Sequence, residues 1–164
     1  MAESRRTVLG MILGAASAGL ALVYAIPAAL YLRGRRDGNE LEADLGALTS
    51  LPERRPVRLP VVAERSDAWE RTRATSGAVF AIRDGDEVRL LDSACPHTGC
   101  AVDWSDAEGM FRCPCHRSTF ALDGTRTAGP AQRGLDPQQV TVRNGRILLR
   151  YRRYRSGRAD REPV

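Results

Sequence analysis

The chain has 164 residues, of which 43% are hydrophobic, 27% charged and 5% aromatic, and its formal net charge is +5. That length allows one domain of ordinary size plus an appendage. The surplus charge is all arginine, since the sequence holds no lysine, and it clusters at Arg5, Arg6, Arg33, Arg35 and Arg36 and again from Arg150 to Arg161. With so few aromatics there is no basic face interleaved with stacking rings, so no nucleic-acid partner is expected.

Residues 1–7 carry the first arginine pair, and residues 8–32 carry no charge at all. At about 1.5 Å per residue, a helix over 8–32 crosses the roughly 30 Å hydrocarbon layer with some tilt. Arginines bracket the run, Tyr24 and Tyr31 suit an interfacial zone, and Pro27 lies near the far end, where a kink costs least. A cleaved secretory signal has a shorter apolar region, about 7–15 residues, so a retained single-pass anchor is expected. The stretch Ser4-Arg5-Arg6-Thr7-Val8-Leu9 resembles a twin-arginine export signal, a route for already folded cargo. It would place the following domain on the outer, periplasmic side of a bacterial inner membrane.

Residues 33–55 are charged and only briefly apolar at Leu41, Leu45 and Leu48. They read as a flexible linker with a helical turn or two around residues 40–48. Residues 56–151 change to short alternating runs between turn residues, the pattern of an all-β domain. Strands are expected at 57–62, at 78–82 and 87–91 around Asp84-Gly85-Asp86, and at 140–143 and 146–149 around Asn144-Gly145. Residues 152–164 read as a solvated basic tail.

All four cysteines and both histidines fall in two loops, Cys95-Pro96-His97-Thr98-Gly99-Cys100 and Cys113-Pro114-Cys115-His116-Arg117-Ser118. Three readings are open at this point. A structural zinc would use two cysteines and two histidines, though its usual pair spacings differ from these. Two disulfides would leave the histidines without a role. An iron–sulfur centre of mixed ligation would employ both residue types.

At these residues the sequence resembles the Rieske iron–sulfur protein family, whose signature is C-x-H-x-G-C followed by C-x-C-H-x-S. Cys95, His97, Gly99, Cys100, Cys113, Cys115, His116 and Ser118 all match it. The resemblance implies a Rieske-type antiparallel β domain with two cluster-binding loops, and one [2Fe–2S] cluster per chain. It implies Cys95 and Cys113 as ligands of one iron, His97 and His116 as ligands of the other, and a disulfide between Cys100 and Cys115. Imidazoles in place of two thiolates remove negative charge and raise the potential to roughly −150 to +300 mV, against about −400 mV for all-cysteine plant-type clusters.

Gly129, Pro130 and Ala131 resemble the family's Pro loop, with Arg133-Gly134 standing for its second proline, so the loop's rigidity is open. Ser118 resembles the serine that bonds a bridging sulfide, with Gly99 beside the cluster. Phe120 stands where high-potential members carry a tyrosine donor, and Arg117 replaces a common glycine. A lower potential, and menaquinol as the quinol, are expected from Phe120.

Together with the anchor, the resemblance implies the membrane-bound electron-transfer subunit of a bc-type quinol:cytochrome c oxidoreductase, not catalytic alone. Its partners would be a cytochrome b-type subunit, a c-type cytochrome and quinol met by His97 and His116, in a dimeric multi-subunit complex. No catalytic acid or nucleophile is expected. Two rivals are an electron-carrier subunit of another membrane oxidoreductase, arsenite-oxidase-like, and a zinc-stapled interaction module.

Overall fold

The computed structural model describes residues 2–34, 40–67 and 70–164, and the chain divides into two units, Met1–Gly38 and Asn39–Val164. The first is one helix, α1 (Ala2–Gly34), whose stretch Ser4–Tyr31 is long and apolar enough to cross a membrane. Large apolar side chains such as Leu9, Ile12, Leu13, Leu20, Val23 and Leu30 are exposed all round it, as lipid-facing helices require. Ser17 turns its hydroxyl back onto the Leu13 carbonyl at 2.8 Å, satisfying a polar group in an apolar stretch.

The second unit is all β. Its strands are β1 (Glu40–Ala47), β2 (Val57–Asp67), β3 (Glu70–Asp84), β4 (Glu87–Asp92), β5 (Asp103–Ser105), β6 (Met110–Arg112), β7 (Thr119–Phe120), β8 (Arg126–Ala128), β9 (Pro137–Arg143) and β10 (Arg146–Arg152). A six-stranded base sheet runs in the order β1-β10-β9-β4-β3-β2, and a four-stranded layer runs β5-β6-β7-β8. Every strand pair in both is antiparallel.

Both expected hairpins form. Asn144 and Gly145, at φ 52° and 71°, join β9 to β10, the two positive values that a type I′ turn demands. Gly85 opens the β3–β4 turn at φ 63°. The first strand is longer than expected, reaching Asp67 against β3.

Residues 40–48 depart from expectation. They form β1 and a short 3₁₀ turn (Leu48–Ser50), not a helical stretch in a flexible linker. Leu41, Leu45 and Leu48 fit helical spacing, but Leu41, Ala43 and Leu45 alternate, which fits a strand. β10 decides between them: Leu41 faces Tyr151 and Ala43 faces Leu149, and Leu48 and Leu51 are buried. Farther on, the Arg54 N–H bonds the Arg83 carbonyl at 2.8 Å, so residues 40–55 belong to the folded unit. Of the rest of the expected linker, residues 33 and 34 end α1, and residues 35–39 lie outside the described residues.

β3 and β4 serve two cores through the two-residue period of a strand. Val79, Ala81 and Leu90 point into a core with Val61, Leu48, Ile147, Leu149 and Tyr151. Phe80, Ile82 and Leu91 point the other way, into a core with Phe111, Phe120, Val102 and Leu135 that also takes Cys95 and Cys113. The four-stranded layer is thereby mounted on the back of the base sheet, with Phe80 and Trp104 each 4.8 Å from the Phe111 ring.

Candidate functional site

Three loops converge at one end of the small layer: 93–102 between β4 and β5, 113–118 between β6 and β7, and 129–136 between β8 and β9. The first two are built alike. In one, the Cys95 N–H bonds the Cys100 carbonyl at 2.7 Å and the Gly99 N–H bonds the Cys95 carbonyl at 2.8 Å. In the other, Cys113 bonds Ser118 at 2.8 Å and Arg117 bonds Cys113 at 3.1 Å. Gly99 and Arg117, four residues after each leading cysteine, are both left-handed, at φ 82° and 58°. That equivalence explains the glycine common at position 117: an arginine there accepts a conformation that L side chains rarely adopt. The shared pattern Cys-Pro-x-x-x-Cys/Ser was visible in the sequence as a signal of twin loops.

Cys100 and Cys115 are joined by a disulfide, tying the two loops together. Cys95 and Cys113 remain free and buried. Burial pushes the Cys95 thiol up, opposed by the His97 backbone N–H; the Cys113 thiol alongside raises it further, and the Ser118 hydroxyl lowers it. Only the thiolate ligates, so a metal bound here must displace that proton. Cys113 Sγ also lies within 4.8 Å of both disulfide sulfurs, but those sulfurs are committed to each other and offer no thiolate.

The rings of His97 and His116 meet edge to face, with centroids 4.6 Å apart. His97 Nδ1 is buried with no hydrogen-bond partner, a costly state for a polar atom unless a ligand completes it. His116 is exposed with Pro114, Cys115 and Arg117. Two buried thiols in contact with each other and two imidazoles in contact, one with an orphaned nitrogen, form a donor set whose chemistry fits a [2Fe–2S] centre of mixed ligation. A tetrahedral zinc would match the same atoms by type.

The third loop closes over the second. Ala131 donates its N–H to the buried Ser118 Oγ at 3.1 Å. A Cβ on Gly129, at φ 90°, would stand 2.4 Å from Ser118 Cα, so only glycine permits this approach. Pro130 is exposed at the rim and Ala131 is buried, while Phe120 is fully buried beneath, paired with Phe111.

Rigidity in that loop comes from residues that sequence reasoning did not assign. Arg133 is buried and makes a two-pronged bond to Asp136, both contacts at 2.8 Å. Gly134 lies so near Gly124 that a Cβ would stand 2.4 Å from its carbonyl. Asp92, at the root of the first loop, accepts from the Ala94 N–H at 2.9 Å and from the Tyr151 hydroxyl at 3.3 Å. Burial raises its carboxyl to about 6.

The expected tail over residues 152–164 is mostly exposed to solvent, but it is folded and does not simply trail the domain. Arg152 completes β10, and the segment after it folds back on itself, with the Arg155 N–H on the Glu162 carbonyl at 2.9 Å and the Val164 N–H on the Arg153 carbonyl at 3.1 Å. The signals were Gly157 among the arginines and the Arg133/Asp136 spacing, both too common to stand alone.

A family model described as Rieske [2Fe–2S] domain matches residues 48–143. The chloroplastic cytochrome b6-f complex iron–sulfur subunit of Bigelowiella natans is 48% identical over 59 residues, 36% of this chain. The cytochrome b6-f complex iron–sulfur subunit of Synechococcus sp. (strain JA-3-3Ab) is 44% identical over 52 residues, 32% of this chain. The chain spans 23% and 30% of the lengths of these two proteins. The menaquinol:cytochrome c reductase iron–sulfur subunit of Bacillus subtilis (strain 168) is 31% identical over 130 residues, 77% of this chain and 74% of that one. Among solved structures, the plasma membrane Rieske protein of Synechocystis PCC 6803 gives a TM-score of 0.49 at 25% identity, covering 66% of this chain and 99% of that one. The chain belongs to the Rieske [2Fe–2S] domain family, and a [2Fe–2S] cluster is its cofactor.

Proposed function

We propose that Cys95, His97, Cys113 and His116 hold the cluster, and that the chain is the electron-transfer subunit of a membrane-bound bc-type complex, taking one electron from quinol and passing it to a c-type cytochrome. The observation that carries this reading is the exposed His116 ring set 4.6 Å from His97, whose buried Nδ1 lacks any protein partner. When bound, the cluster supplies a one-electron acceptor whose potential is raised by its two imidazoles.

The chain's own residues do the rest. Cys95 and Cys113 lose their protons on ligation and stay out of water in the core. His97 and His116 would each hold the group through one ring nitrogen, leaving the other to accept a hydrogen bond from a quinol hydroxyl and hold its proton. The Cys100–Cys115 disulfide ties the two ligand loops together beside the site. Ser118, already held by Ala131, directs its hydroxyl at the Cys95 sulfur and favours added negative charge there.

Phe120 has no such donor to offer, which favours a lower potential and menaquinol as the quinol; the name of the Bacillus subtilis relative agrees. The resemblance of Arg5-Arg6, in the first turns of α1, to a twin-arginine export signal favours a cluster domain outside the membrane, on the periplasmic side of a bacterial cell membrane.

The test is EPR across a redox titration of the purified full-length protein. A paramagnetic signal that appears on reduction with a midpoint between roughly −150 and +300 mV supports mixed ligation, and the midpoint within that range chooses between quinol classes. A colourless, EPR-silent protein that contains zinc would sink the reading.

A further inference from the structure

The loop of His97 has a neighbour that the family signature does not include. The Gly157 N–H, in the C-terminal segment, donates to the Pro96 carbonyl at 2.8 Å, one residue before His97. The same segment touches both sides of that histidine: a Cβ on Gly157 would lie 3.6 Å from the His97 carbonyl, and a Cβ on Gly99 would lie 3.5 Å from Ser156 Oγ. The segment is held as a closed strap by a Tyr154–Pro163 bridge and by Glu162, which pairs with Arg155 at 3.1 Å and with Arg158 at 3.6 Å.

One residue joins this strap to the rest of the site. Arg133 keeps both prongs on Asp136 and gives two of its three other N–H groups to the carbonyls of Arg158 at 2.6 Å and Arg155 at 3.0 Å. Its side chain is 5% exposed and that of Asp136 6%. Arg161 returns from the strap to the same carboxylate at 3.2 Å, and the Asp136 carbonyl takes the Asp92 N–H at 2.8 Å, at the root of the His97 loop. A guanidinium with five donors in a fixed fork can hold a carboxylate and two carbonyls together; an ammonium cannot.

We propose that residues 153–164 form a further wall of the cluster site that fixes the His97 loop, and that Arg133 is the positioning residue clasping this strap to the Pro loop. The proposal rests on the reading of His97 as a ligand. Breaking the clasp loosens the loop from Cys95 to Cys100 while the base sheet stays intact. His97 then samples more orientations, and the bound cluster both changes its electronic signature and escapes faster.

The experiment uses the full-length protein carrying its cluster, a truncation ending at Arg152, and the variants Gly157→Pro, Arg133→Met and Arg133→Lys. Gly157→Pro removes one donor and forbids φ 74° without touching the arginine. It keeps the proposal testable should the Arg133→Met variant, with Asp136 left unpaired, fail to fold. Amide exchange at Cys95 and Gly99 is expected to rise about tenfold in the truncation and in Gly157→Pro, the scale of one net hydrogen bond. Release of iron to a chelator is expected to quicken by a similar factor, with altered EPR g-values. Arg133→Lys is expected to fall between Arg133→Met and the parent. Amides of Val142 and Leu149 in the base sheet are the control and should not move.

Unchanged exchange at Cys95 and Gly99, with parental g-values in the strap-less protein, would overturn the proposal. A parent without a [2Fe–2S] signal would instead overturn the ligand reading, and amide exchange in that same protein would still decide whether the strap holds the loop.

Discussion

Strands β2, β3 and β10 run for 11, 15 and 7 residues, whereas no strand of the cluster layer exceeds three. The base sheet holds itself together by alternation: side chains of β3, β4 and β10 fill a continuous apolar core, and the backbone ladder supplies the hydrogen bonds. Ladders as short as those of β5–β8 cannot stand alone. The layer adds the aromatic group around Phe111, the Cys100–Cys115 disulfide, two left-handed loop residues and the buried Arg133–Asp136 pair. One region is stabilised by area and the other by specific bonds. The second kind suits a site, because each bond fixes an angle as well as a distance.

The comparison is tested most severely by removing a ligand. Cys113→Ser is expected to abolish the bound cluster, read as iron content, while far-ultraviolet circular dichroism keeps the base-sheet signal. Collapse of both signals would mean that the two regions fold only as one. Next in size, Leu149→Ala empties part of the base core and should cost about 2–5 kcal/mol in chemical denaturation, lowering every probe together.

Replacing both Cys100 and Cys115 by alanine opens a link between residues 15 apart, worth about 3 kcal/mol in the chain-entropy description. That loss should appear first as faster cluster release, with the base sheet melting later. If both regions weaken equally, the layer draws more on the base sheet than its bonds suggest.

Asp92 sits at the junction of the two regions and gives a pH signature. Its folded carboxyl titrates at about 6, against 3.8 for the unperturbed group, chiefly through burial. Between those values the folded chain binds a proton that the unfolded chain has lost. This contribution to stability is therefore complete below about pH 4 and is lost as pH rises toward 6. Asp92→Asn should remove that slope, so its denaturation midpoint relative to the parent should be higher at neutral pH than in acid. The smallest effect is expected of Arg117→Gly, which relieves a left-handed arginine and should stabilise the second loop by about 1 kcal/mol in thermal unfolding.

The parts of the fold legible in advance were those whose causes lie close together in the chain. Asn144-Gly145 carries its own turn, and the apolar run before Leu32 carries its own helix. The twin loops announced themselves because soft ligands at such spacing have few uses, and Cys100 and Cys115 pair as the resemblance implied. β1 was misread because its helical and alternating patterns overlap at Leu41 and Leu45, and the arbiter, Tyr151 on β10, is remote in sequence.

The sequence by itself determined the apolar helix, the hairpins, the family and its cofactor, since each depends on residue type at short range. Only the tertiary structure decided that residues 40–51 close the base sheet and that the arginine-rich end folds against the His97 loop. Arg133 shows the reason: two of its acceptors are the carbonyls of Arg155 and Arg158. A backbone carbonyl is the same group at every position, so nothing in the residue letters marks it as a partner until the chain has folded.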